Sequence, residues 1–387
     1  MEEQRILIVD DTPENIDILS NILKDYKKSI ALNGEKALKV VQSKKPDLIL
    51  LDVMMPEMDG FETCRRLKAN PGTCDIPIIF ITAKNSVEDE TKGLELGAVD
   101  FIPKPISPPI VLARVKNHLE LLHVRKKLEE QNKQLVERNK YITDSINYAK
   151  KIQTAILPSK ELIDSIFNAN LLIYKPKDIV SGDFCWIKNI DNYKIFSVVD
   201  CTGHGVPGSL MSMIGNTLLN EIINFKRILE PSEILNLLNE GIINELNKEK
   251  TDDNYDGMDL SMCVIEESTK TIKIASSFRP VFCFADSEFI EIKGNKKSIG
   301  DKRKNTLYTT QTVKYKSGIT IYQFTDGFID QQNAENVKFG LSRFRELLQQ
   351  IQNLTLPEQK EKILSEMNLH IAGEEQRDDM TIMAIKL

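Results

Sequence analysis

Residues 48–60 read LILLDVMMPEMDG, a short apolar run that ends in the carboxylate of Asp52 and is followed by a turn containing Pro56 and Gly60. A continuous apolar run of this length beside turn residues is typical of a strand buried on both faces. Stretches with helical periodicity separate it from similar apolar runs at residues 5–9, 29–32, 76–81 and 99–102. This alternation predicts an α/β domain, in which helices cover both faces of a parallel sheet.

Polar side chains stand where these predicted strands end. The first strand ends at Asp10 and Asp11, the third at Asp52, the fourth at Thr82 and the fifth at Lys104. Because the ligands of such sheets bind beyond the carboxyl ends of the strands, these side chains should converge on one rim. Three close carboxylates repel one another unless a hard cation neutralises them, so the pattern predicts a Mg²⁺ site. A carboxylate beside Mg²⁺ can attack a phosphoryl group, and a hydroxyl and an ammonium can then hold the phosphate oxygens.

Two short motifs extend this pattern, residues 54–60 after Asp52 and Lys104-Pro105 after the fifth strand. With them, residues 5–120 resemble the receiver domain of response regulators. The resemblance implies a flavodoxin-like, doubly wound parallel sheet over residues 1–122. It also implies that a sensor histidine kinase donates phosphate to Asp52.

The same resemblance implies a role for each residue at the rim. The implied Mg²⁺ ligands are Asp10, Asp11 and Asp52. Thr82 takes the place of the switch hydroxyl, and Lys104 that of the lysine that pairs with the phosphate. Phe101 falls where an aromatic ring turns inward on activation; an ordinary core residue is the alternative interpretation.

A long stretch without helix breakers follows, since residues 111–157 contain neither glycine nor proline. Apolar residues recur at every seventh position, as d positions of a heptad: Leu121, Leu128, Leu135, Ile142, Ala149 and Ile156. The corresponding a positions are Arg125, Asn132, Asn139, Ile146 and Gln153. Buried Asn at a favours a two-stranded coiled coil in register, so the pattern predicts a helical stalk over residues 123–158 and a homodimer. The alternative is a single amphipathic helix that lies on one of the domains.

Residues 159–387 form a third region with mixed strand and helix patterns. The predicted strands are Leu171–Tyr174, Tyr193–Val199, Leu260–Glu266, Thr271–Ala275, Val281–Ala285, Ile319–Thr325 and Met380–Ile385. The predicted helices cover residues 207–225, 231–247, 339–352 and 357–370. Strand-rich stretches interrupted by helical blocks predict an α/β sandwich of sheets with helices outside.

Four aspartates in this region each adjoin a glycine or a tight turn at a strand end: Asp183, Asp200, Asp326 and Asp378. Such an oxygen-rich set favours Mg²⁺ or Mn²⁺ over zinc. Two such ions about 4 Å apart can bridge a water, lower its pKa and clamp the oxygens of a phosphoryl group during an in-line displacement. A protein nucleophile is then not required, and we find no obvious Cys or Ser nucleophile motif.

These signatures resemble the SpoIIE-like branch of the metal-dependent protein phosphatases, the protein phosphatase 2C superfamily. The most specific stretches are residues 178–184, DIVSGDF, and 200–208, DCTGHGVPG. The resemblance implies two Mn²⁺ or Mg²⁺ ions. It also implies their ligands, which are Asp183, Asp200, Asp326, Asp378 and the carbonyl of Cys201.

Neighbouring residues leave alternatives open. Asp379 could share the ligand role, and Asp330 lies where some relatives place a ligand for a further ion. His204 could be a general acid, although a turn residue is the preferred interpretation. Arg279 stands where relatives often have a Gly-rich turn. It could contact a phosphate, although an exposed structural arginine is the preferred interpretation. Polar turns are predicted at Asp252, Asp253 and Asp301.

The leading hypothesis is a two-component response regulator that controls a serine/threonine phosphoprotein phosphatase. The family resemblance implies a phosphorylated anti-sigma-factor antagonist as the substrate. The alternative is a catalytically inactive, phosphatase-like scaffold that receiver phosphorylation gates. The net charge of −6 argues against nucleic acid as a partner, and no basic helix-turn-helix module is present.

Composition also bears on where the protein acts. No segment approaches the roughly 18 consecutive apolar residues of a membrane-spanning helix, so no membrane partner is expected. The six cysteines form no C-x-x-C pair and are predicted to be reduced. We therefore expect a cytoplasmic protein.

Overall fold

The computed structural model describes residues 4–83, 87–246, 256–285, 288–302, 306–315 and 318–387, and only the backbone of residues 87–90. Asp252 and Asp253 lie outside the described residues. Contacts divide the chain into two units, Met1–Asn139 and Lys140–Leu387, and the boundary falls within one long helix. In the described part of the chain, no helix is long and apolar enough to cross a membrane.

The first unit alternates strands and helices. Its strands are β1 (Arg5–Val9), β2 (Lys27–Ala31), β3 (Leu48–Asp52), β4 (Ile78–Thr82) and β5 (Asp100–Pro103). Its helices are α1 (Pro13–Ile22), α2 (Gly34–Ser43), α3 (Gly60–Ala69), α4 (Val87–Glu95) and α5 (Pro108–Ile156). The strands form one parallel sheet in the order β2-β1-β3-β4-β5. This order is that of a flavodoxin-like fold, as the sequence predicted.

Strand β3 shows why its sequence is apolar without interruption. Ile49 and Leu51 pack with α2 and α3 on one face of the sheet. Leu48 and Leu50 pack with α1 and the start of α5 on the other. Because both faces are covered, successive side chains are all buried and the usual alternation of polar and apolar residues is absent.

Helix α5 runs for 49 residues without a break. Four of the predicted d positions are well exposed, Leu121 at 63%, Leu128 at 65%, Leu135 at 57% and Ile142 at 54%. The seventh-residue stripe is therefore open along this part of the helix, and a partner helix remains a prediction. Gln153, assigned to the a positions, is instead buried by residues of its own chain.

The second unit is built from ten strands and six helices among its described residues. The strands are β6 (Ala169–Lys175), β7 (Phe184–Ile190), β8 (Tyr193–Cys201), β9 (Met258–Glu266), β10 (Thr271–Ser276), β11 (Val281–Ala285), β12 (Glu288–Ile292), β13 (Gln311–Lys314), β14 (Thr320–Phe324) and β15 (Met380–Lys386). The helices are α6 (Lys160–Ile166), α7 (Gly205–Leu219), α8 (Pro231–Leu246), α9 (Asp326–Asp330), α10 (Leu341–Ile351) and α11 (Leu356–Ile371).

Two antiparallel sheets form the centre of this unit, in the orders β13-β10-β9-β8-β7 and β12-β11-β14-β15-β6. A core of side chains from both sheets, including Phe196 and Ile321, fills the space between them. Helices α7 and α8 cover the first sheet, and α10 and α11 cover the second. This is the predicted sandwich with helices outside.

Some elements differ from the prediction. The single predicted helix over residues 207–225 is an α-helix to Leu219 that continues as a π-helical turn, Asn220–Phe225. Strand β7 was not predicted, although it pairs along its whole length with β8. Its sequence, FCWIKNI, begins as an apolar run and then has two adjacent polar residues, Lys188 and Asn189, so it fits neither simple template.

Candidate functional site

Three carboxylates meet at the carboxyl edge of the parallel sheet. Asp52 is the last residue of β3, and Asp10 and Asp11 follow β1 directly. Oxygens of all three carboxylates lie within 4.8 Å of one another, with Asp10 and Asp52 buried and Asp11 exposed. An oxygen-only set open to solvent on one side fits Mg²⁺, which keeps several waters when it binds.

Lys104 connects two of these carboxylates. Its Nζ donates to Asp52 Oδ1 at 2.9 Å and to Asp10 Oδ2 at 3.2 Å. Burial by itself lowers the pKa of Lys104, but the bonds to Asp52 and Asp10 outweigh it and the pKa is raised. Burial also raises the pKa of Asp52, against the lowering effect of the hydrogen bond from Lys104.

Asp10 is fixed in place by the start of α1. It accepts hydrogen bonds from the backbone amide of Thr12 at 2.9 Å and from the side-chain amide of Asn15 at 3.1 and 3.0 Å. These bonds orient the carboxylate before any ligand binds.

Thr82 and Phe101 lie beside this cluster, on the two strands that follow β3 in the sheet. Thr82 ends β4 opposite Pro103 of β5, and its side chain is buried. Thr82 and Phe101 line the same narrow cleft, together with Val53. Phe101 is half-buried, and the guanidinium of Arg114 lies 5.3 Å from its ring centre. Phe101 is therefore neither a fully buried core residue nor a fully exposed one.

A second acidic cluster forms in the sandwich, where strands of both sheets end. Asp200 is the penultimate residue of β8, Asp326 begins α9 after β14, and Asp183 directly precedes β7. The backbone amide of Asp326 points at Asp200 Oδ2 over 3.5 Å. Asp378 lies two residues before β15, at the exposed rim of the same region. The four predicted aspartates are thus gathered at one end of the sandwich.

Asp183 is the most deeply buried of the four. The hydroxyl of Thr325 donates to its Oδ2 at 2.7 Å, and its own backbone amide donates to the hydroxyl of Ser181 at 3.0 Å. Burial raises the pKa of Asp183, the bond from Thr325 opposes this, and the nearby Asp378 and Asp379 add to the rise. Such a carboxylate is costly to ionise unless a cation is present.

Asp200 has a similar electrostatic position. Burial raises its pKa well above the ordinary value, and repulsion from Asp183 and Asp326 raises it further. Among the largest influences on the pKa of Asp200, only the positive charge of Arg279, at 2.9 Å, lowers it. Asp183, Asp200 and Asp326 therefore lie close enough to repel one another when ionised.

The glycines of the two signature stretches allow close backbone packing. A Cβ on Gly182 would lie 2.4 Å from the carbonyl oxygen of Gly203, and one on Gly208 would lie 2.1 Å from the same oxygen. Any side chain at either position would push the Asp183 loop away from the Asp200 turn. The two stretches meet because these residues have no Cβ.

Asp379 is occupied by backbone donors. It accepts from the amides of Lys177 at 2.7 Å and Gly182 at 2.8 Å, and so holds the loop that carries Asp183. Asp330 is salt-bridged to Lys338 at 2.8 Å on the exposed end of α9. These side-chain bonds do not reach the four aspartates, but the backbone amide of Asp379 donates to Asp378 Oδ1 at 2.9 Å.

His204 caps the start of α7 and is half exposed. Its Nδ1 lies 2.6 Å from Asp178 Oδ2, and its Nε2 lies 2.8 Å from Lys177 Nζ. Both ring nitrogens are thus engaged with residues of the neighbouring loop, and the turn residue and the general acid both stay predictions.

The interpretation of Arg279 as an exposed residue was wrong. Its side chain is only 18% exposed, and Nη2 contacts Asp200, Asp326 and, at 3.4 Å, Asp259. Asp259 was missed as well. It lies opposite Asp200 in the pairing of β8 with β9, a relation that sequence spacing does not reveal.

The donor set of the second cluster fits Mg²⁺ or Mn²⁺, since every candidate ligand is an oxygen. In the described part of the chain, only Asp10, Asp11 and Asp52 have carboxylate oxygens all within 4.8 Å of one another. Two carboxylates of the second cluster, Asp200 and Asp326, contact the guanidinium of Arg279 instead. These two carboxylates thus already share a positive charge.

Two family models match this chain. The family model of the response regulator receiver domain matches residues 6–116. That of stage II sporulation protein E (SpoIIE) matches residues 191–387, slightly more than half of the chain. Asp200, Asp326 and Asp378 lie inside the second match, whereas Asp183 precedes it.

Individual proteins show similarity over part of the chain. A probable cyclic di-GMP phosphodiesterase of Vibrio cholerae is 47% identical over 116 residues, which are 30% of this chain and 26% of that protein. The response regulator PleD of Caulobacter vibrioides is 47% identical over 115 residues, 29% of this chain and 25% of that protein. The chain therefore spans about a quarter of the length of these curated relatives.

A solved structure resembles the sandwich. It is the SiaA-PP2C domain of Pseudomonas aeruginosa, 29% identical, with a TM-score of 0.59. The likeness covers 65% of this chain and 98% of that domain.

Proposed function

This chain belongs to the SpoIIE family and carries a response regulator receiver domain, and from that premise we propose that phosphorylation of Asp52 controls a metal-dependent serine/threonine phosphoprotein phosphatase. The observation that supports it best is the gathering of Asp183, Asp200, Asp326 and Asp378 at one end of the sandwich. We propose the domain limits 1–122 for the receiver, 123–158 for the stalk and 159–387 for the phosphatase.

In the receiver, Asp52 would be the phosphoacceptor. Mg²⁺ held by Asp10, Asp11 and Asp52 would supply charge neutralisation for the phosphoryl oxygens. Lys104, already within 2.9 Å of Asp52, would pair with the new phosphate, and the Thr82 hydroxyl would donate to it. The phosphodonor would be a sensor histidine kinase, and Phe101 would report the change by turning inward.

In the phosphatase, Asp183, Asp200, Asp326, Asp378 and the carbonyl of Cys201 would hold two Mn²⁺ or Mg²⁺ ions. The chemistry that such ions supply is a water of lowered pKa and a clamp on the phosphoryl oxygens. The chain's own part is positioning. Thr325 orients Asp183, and Asp379 holds the loop in front of it through two backbone amides.

The partners follow from the family. We propose a phosphoserine or phosphothreonine on another protein as the substrate, with a phosphorylated anti-sigma-factor antagonist as the specific candidate. A cytoplasmic location is proposed because the phosphodonor and this substrate class act there. All six cysteines are free thiols in the structure, which is compatible with that location.

The exposed heptad stripe supports a homodimer. Leu121, Leu128, Leu135 and Ile142 expose more than half of their side chains along one helix, a large apolar stripe for a monomer to leave in water. A second copy of α5 packed in parallel would cover it. We propose that the receiver acts on the phosphatase through this stalk.

The catalytic proposal is tested with the full chain and p-nitrophenyl phosphate in the presence of Mn²⁺. Asp200→Asn and Asp326→Asn should each abolish hydrolysis, because each removes a ligand charge. Asp164→Asn is the matched control, since it makes the same change in the same domain at a residue whose side chain bonds to Asn170. Equal rates in all variants, or no Mn²⁺-dependent hydrolysis at all, would favour the inactive scaffold.

A further inference from the structure

Arg279 lies in the acidic cluster because it is part of the connection between the two sheets. Residues 277–280 link β10 of one sheet to β11 of the other. The amide of Ser277 donates to the carbonyl of Leu260 at 2.8 Å, and the amide of Phe278 donates to that of Asn295 at 2.8 Å. The backbone that carries Arg279 is therefore fixed, and its side chain reaches the cluster from a set position.

A single nitrogen of this arginine makes all the acidic contacts. Nη2 lies 2.6 Å from Asp326 Oδ2, 2.9 Å from Asp200 Oδ2 and 3.4 Å from Asp259 Oδ2. One guanidinium nitrogen carries only two hydrogens, so it cannot donate fully to three carboxylates. The long distance to Asp259 reflects this shortage.

The other side of the guanidinium is weakly held. Within the described residues, Nε of Arg279 is buried and has no hydrogen-bond partner. Two parallel bonds to one carboxylate would lock an arginine in place, but this one is attached at a single point. Its side chain can therefore leave the cluster by giving up the contacts of one nitrogen.

A divalent ion and this guanidinium compete for the same oxygens. Mg²⁺ binds oxygen at about 2.0–2.1 Å, so an ion on Asp200 and Asp326 would lie in the space that Nη2 occupies. Two positive charges at that separation also repel. The two occupants exclude each other.

We propose that Arg279 is a tethered counter-cation, which neutralises Asp200, Asp259 and Asp326 in the ion-free enzyme and must be displaced when the ion binds. This inference rests on the proposed function, because it takes Asp200 and Asp326 as metal ligands. The arginine keeps the carboxylates together without an ion and thereby weakens the apparent affinity for the ion. It sets the metal concentration at which the site fills.

The test is direct Mn²⁺ binding by isothermal titration calorimetry on the full chain, with no substrate present and with Asp11→Asn in every protein compared, because Asp10, Asp11 and Asp52 form a second candidate ion site. Arg279→Met removes the charge and keeps the apolar stem, and we expect its Kd for Mn²⁺ to fall by roughly tenfold or more, the typical effect of a hydrogen bond to a charged group. Arg345→Met is the matched control, since Arg345 pairs with Glu291 away from the cluster at 2.6 Å. The control should bind Mn²⁺ like the wild type.

The outcomes separate the inference from the function that it rests on. An unchanged or weaker Mn²⁺ affinity in Arg279→Met overturns the inference, provided that the wild type binds Mn²⁺ and Asp326→Asn does not. If the wild type binds no Mn²⁺ at this cluster, the proposed function itself fails. Should Arg279→Met not fold, Arg279→Gln is used, which lacks the charge but keeps a polar side chain; its Kd must also be lower than that of the wild type.

Discussion

Gln153 and Ser181 exchange two hydrogen bonds. Gln153 Nε2 donates to the carbonyl of Ser181 at 2.6 Å, and the amide of Ser181 donates to Gln153 Oε1 at 3.2 Å. Gln153 Nε2 also donates to the hydroxyl of Ser212 in α7 at 2.9 Å. Ser181 in turn accepts from the amide of Asp183. The buried side-chain amide of Gln153 in the long helix thus bonds to Ser181, which lies two residues before Asp183, a proposed metal ligand.

Replacing Gln153 by Ala should weaken both the fold and the metal site. The change leaves the Ser181 amide and carbonyl without partners, which should cost about 1–3 kcal/mol of unfolding free energy for each unsatisfied buried group. Urea unfolding and Mn²⁺ titration measure the two effects. Thr154→Ala is the control, because Thr154 is exposed and bonds only to Lys150 of its own helix. Equal Mn²⁺ affinity in the Gln153→Ala variant and the control would show that this amide does not position Asp183.

The phosphorylation signal should reach the phosphatase. Adding beryllofluoride, a mimic of the aspartyl phosphate, should change the Mn²⁺-dependent rate of the full chain by about fivefold or more, the lower range of allosteric coupling. Asp52→Asn should not respond. Asp59→Asn should respond fully, because Asp59 only caps α3 through a bond to the Glu62 amide and Asn caps equally well. Identical rates with and without the mimic would count against coupling.

The hydroxyl of Thr325 should contribute to stability and to Mn²⁺ binding, beyond the volume that its side chain fills. Its hydroxyl donates to Asp183 and accepts from the amide of Thr381 at 3.0 Å. Thr325→Val keeps the shape but removes both bonds, so the unfolding free energy should fall by about 1–3 kcal/mol. The pKa of Asp183 should rise further and Mn²⁺ should bind more weakly at neutral pH. Thr217→Val, which loses only a bond to the Met213 carbonyl in its own helix, is the control. A Thr325→Val protein with wild-type stability and affinity would contradict this role.

Mn²⁺ binding should tighten as pH rises. Burial raises the pKa of Asp183 to about 8, so this carboxyl holds a proton in the ion-free fold at a pH where the unfolded chain has released it. Stability of the ion-free protein is therefore lost as pH rises from the unfolded pKa towards the folded one. An ion must displace this proton, so the Mn²⁺-induced rise in Tm should grow between about pH 6 and 8. A Tm shift that is independent of pH would contradict the assignment of Asp183 as a ligand.

The stalk should make the protein a dimer. Leu128→Lys combined with Leu135→Lys places charges in the exposed seam and should give a monomer by light scattering coupled to size exclusion. Tyr141→Lys is the control, because Tyr141 is 76% exposed but lies outside the a and d positions. A wild-type chain that is monomeric at micromolar concentration would refute the coiled coil.

The receiver and its rim follow from local sequence. An apolar strand buried on both faces has a simple pattern, and β3 shows it from Leu48 to Leu51. Strand ends in a parallel sheet share an edge, so the sequence alone places Asp10 and Asp52 together. Sequence and structure agree here because the placement of these strand-end residues depends on strand order.

The contents of the second site depend on pairings that sequence spacing does not show. Asp259 faces Asp200 only through the register of β8 with β9. Arg279 lies in the connection between the two sheets, and the sequence of this turn resembles that of a turn exposed to solvent. Gln153 fitted the heptad as an a position, although its amide is buried against Ser181 and Ser212. These residues are missed because tertiary contacts, and not periodicity, define their roles.

The most direct measurement of the central claim is anomalous diffraction at the manganese edge from crystals of the full chain grown with Mn²⁺. We predict anomalous peaks bounded by Asp183, Asp200, Asp326 and Asp378, with the Arg279 guanidinium moved away from Asp326. Crystals without Mn²⁺ should retain the contact of 2.6 Å between Arg279 and Asp326. The absence of any manganese peak among the four aspartates, at an ion concentration that supports hydrolysis, would contradict the account.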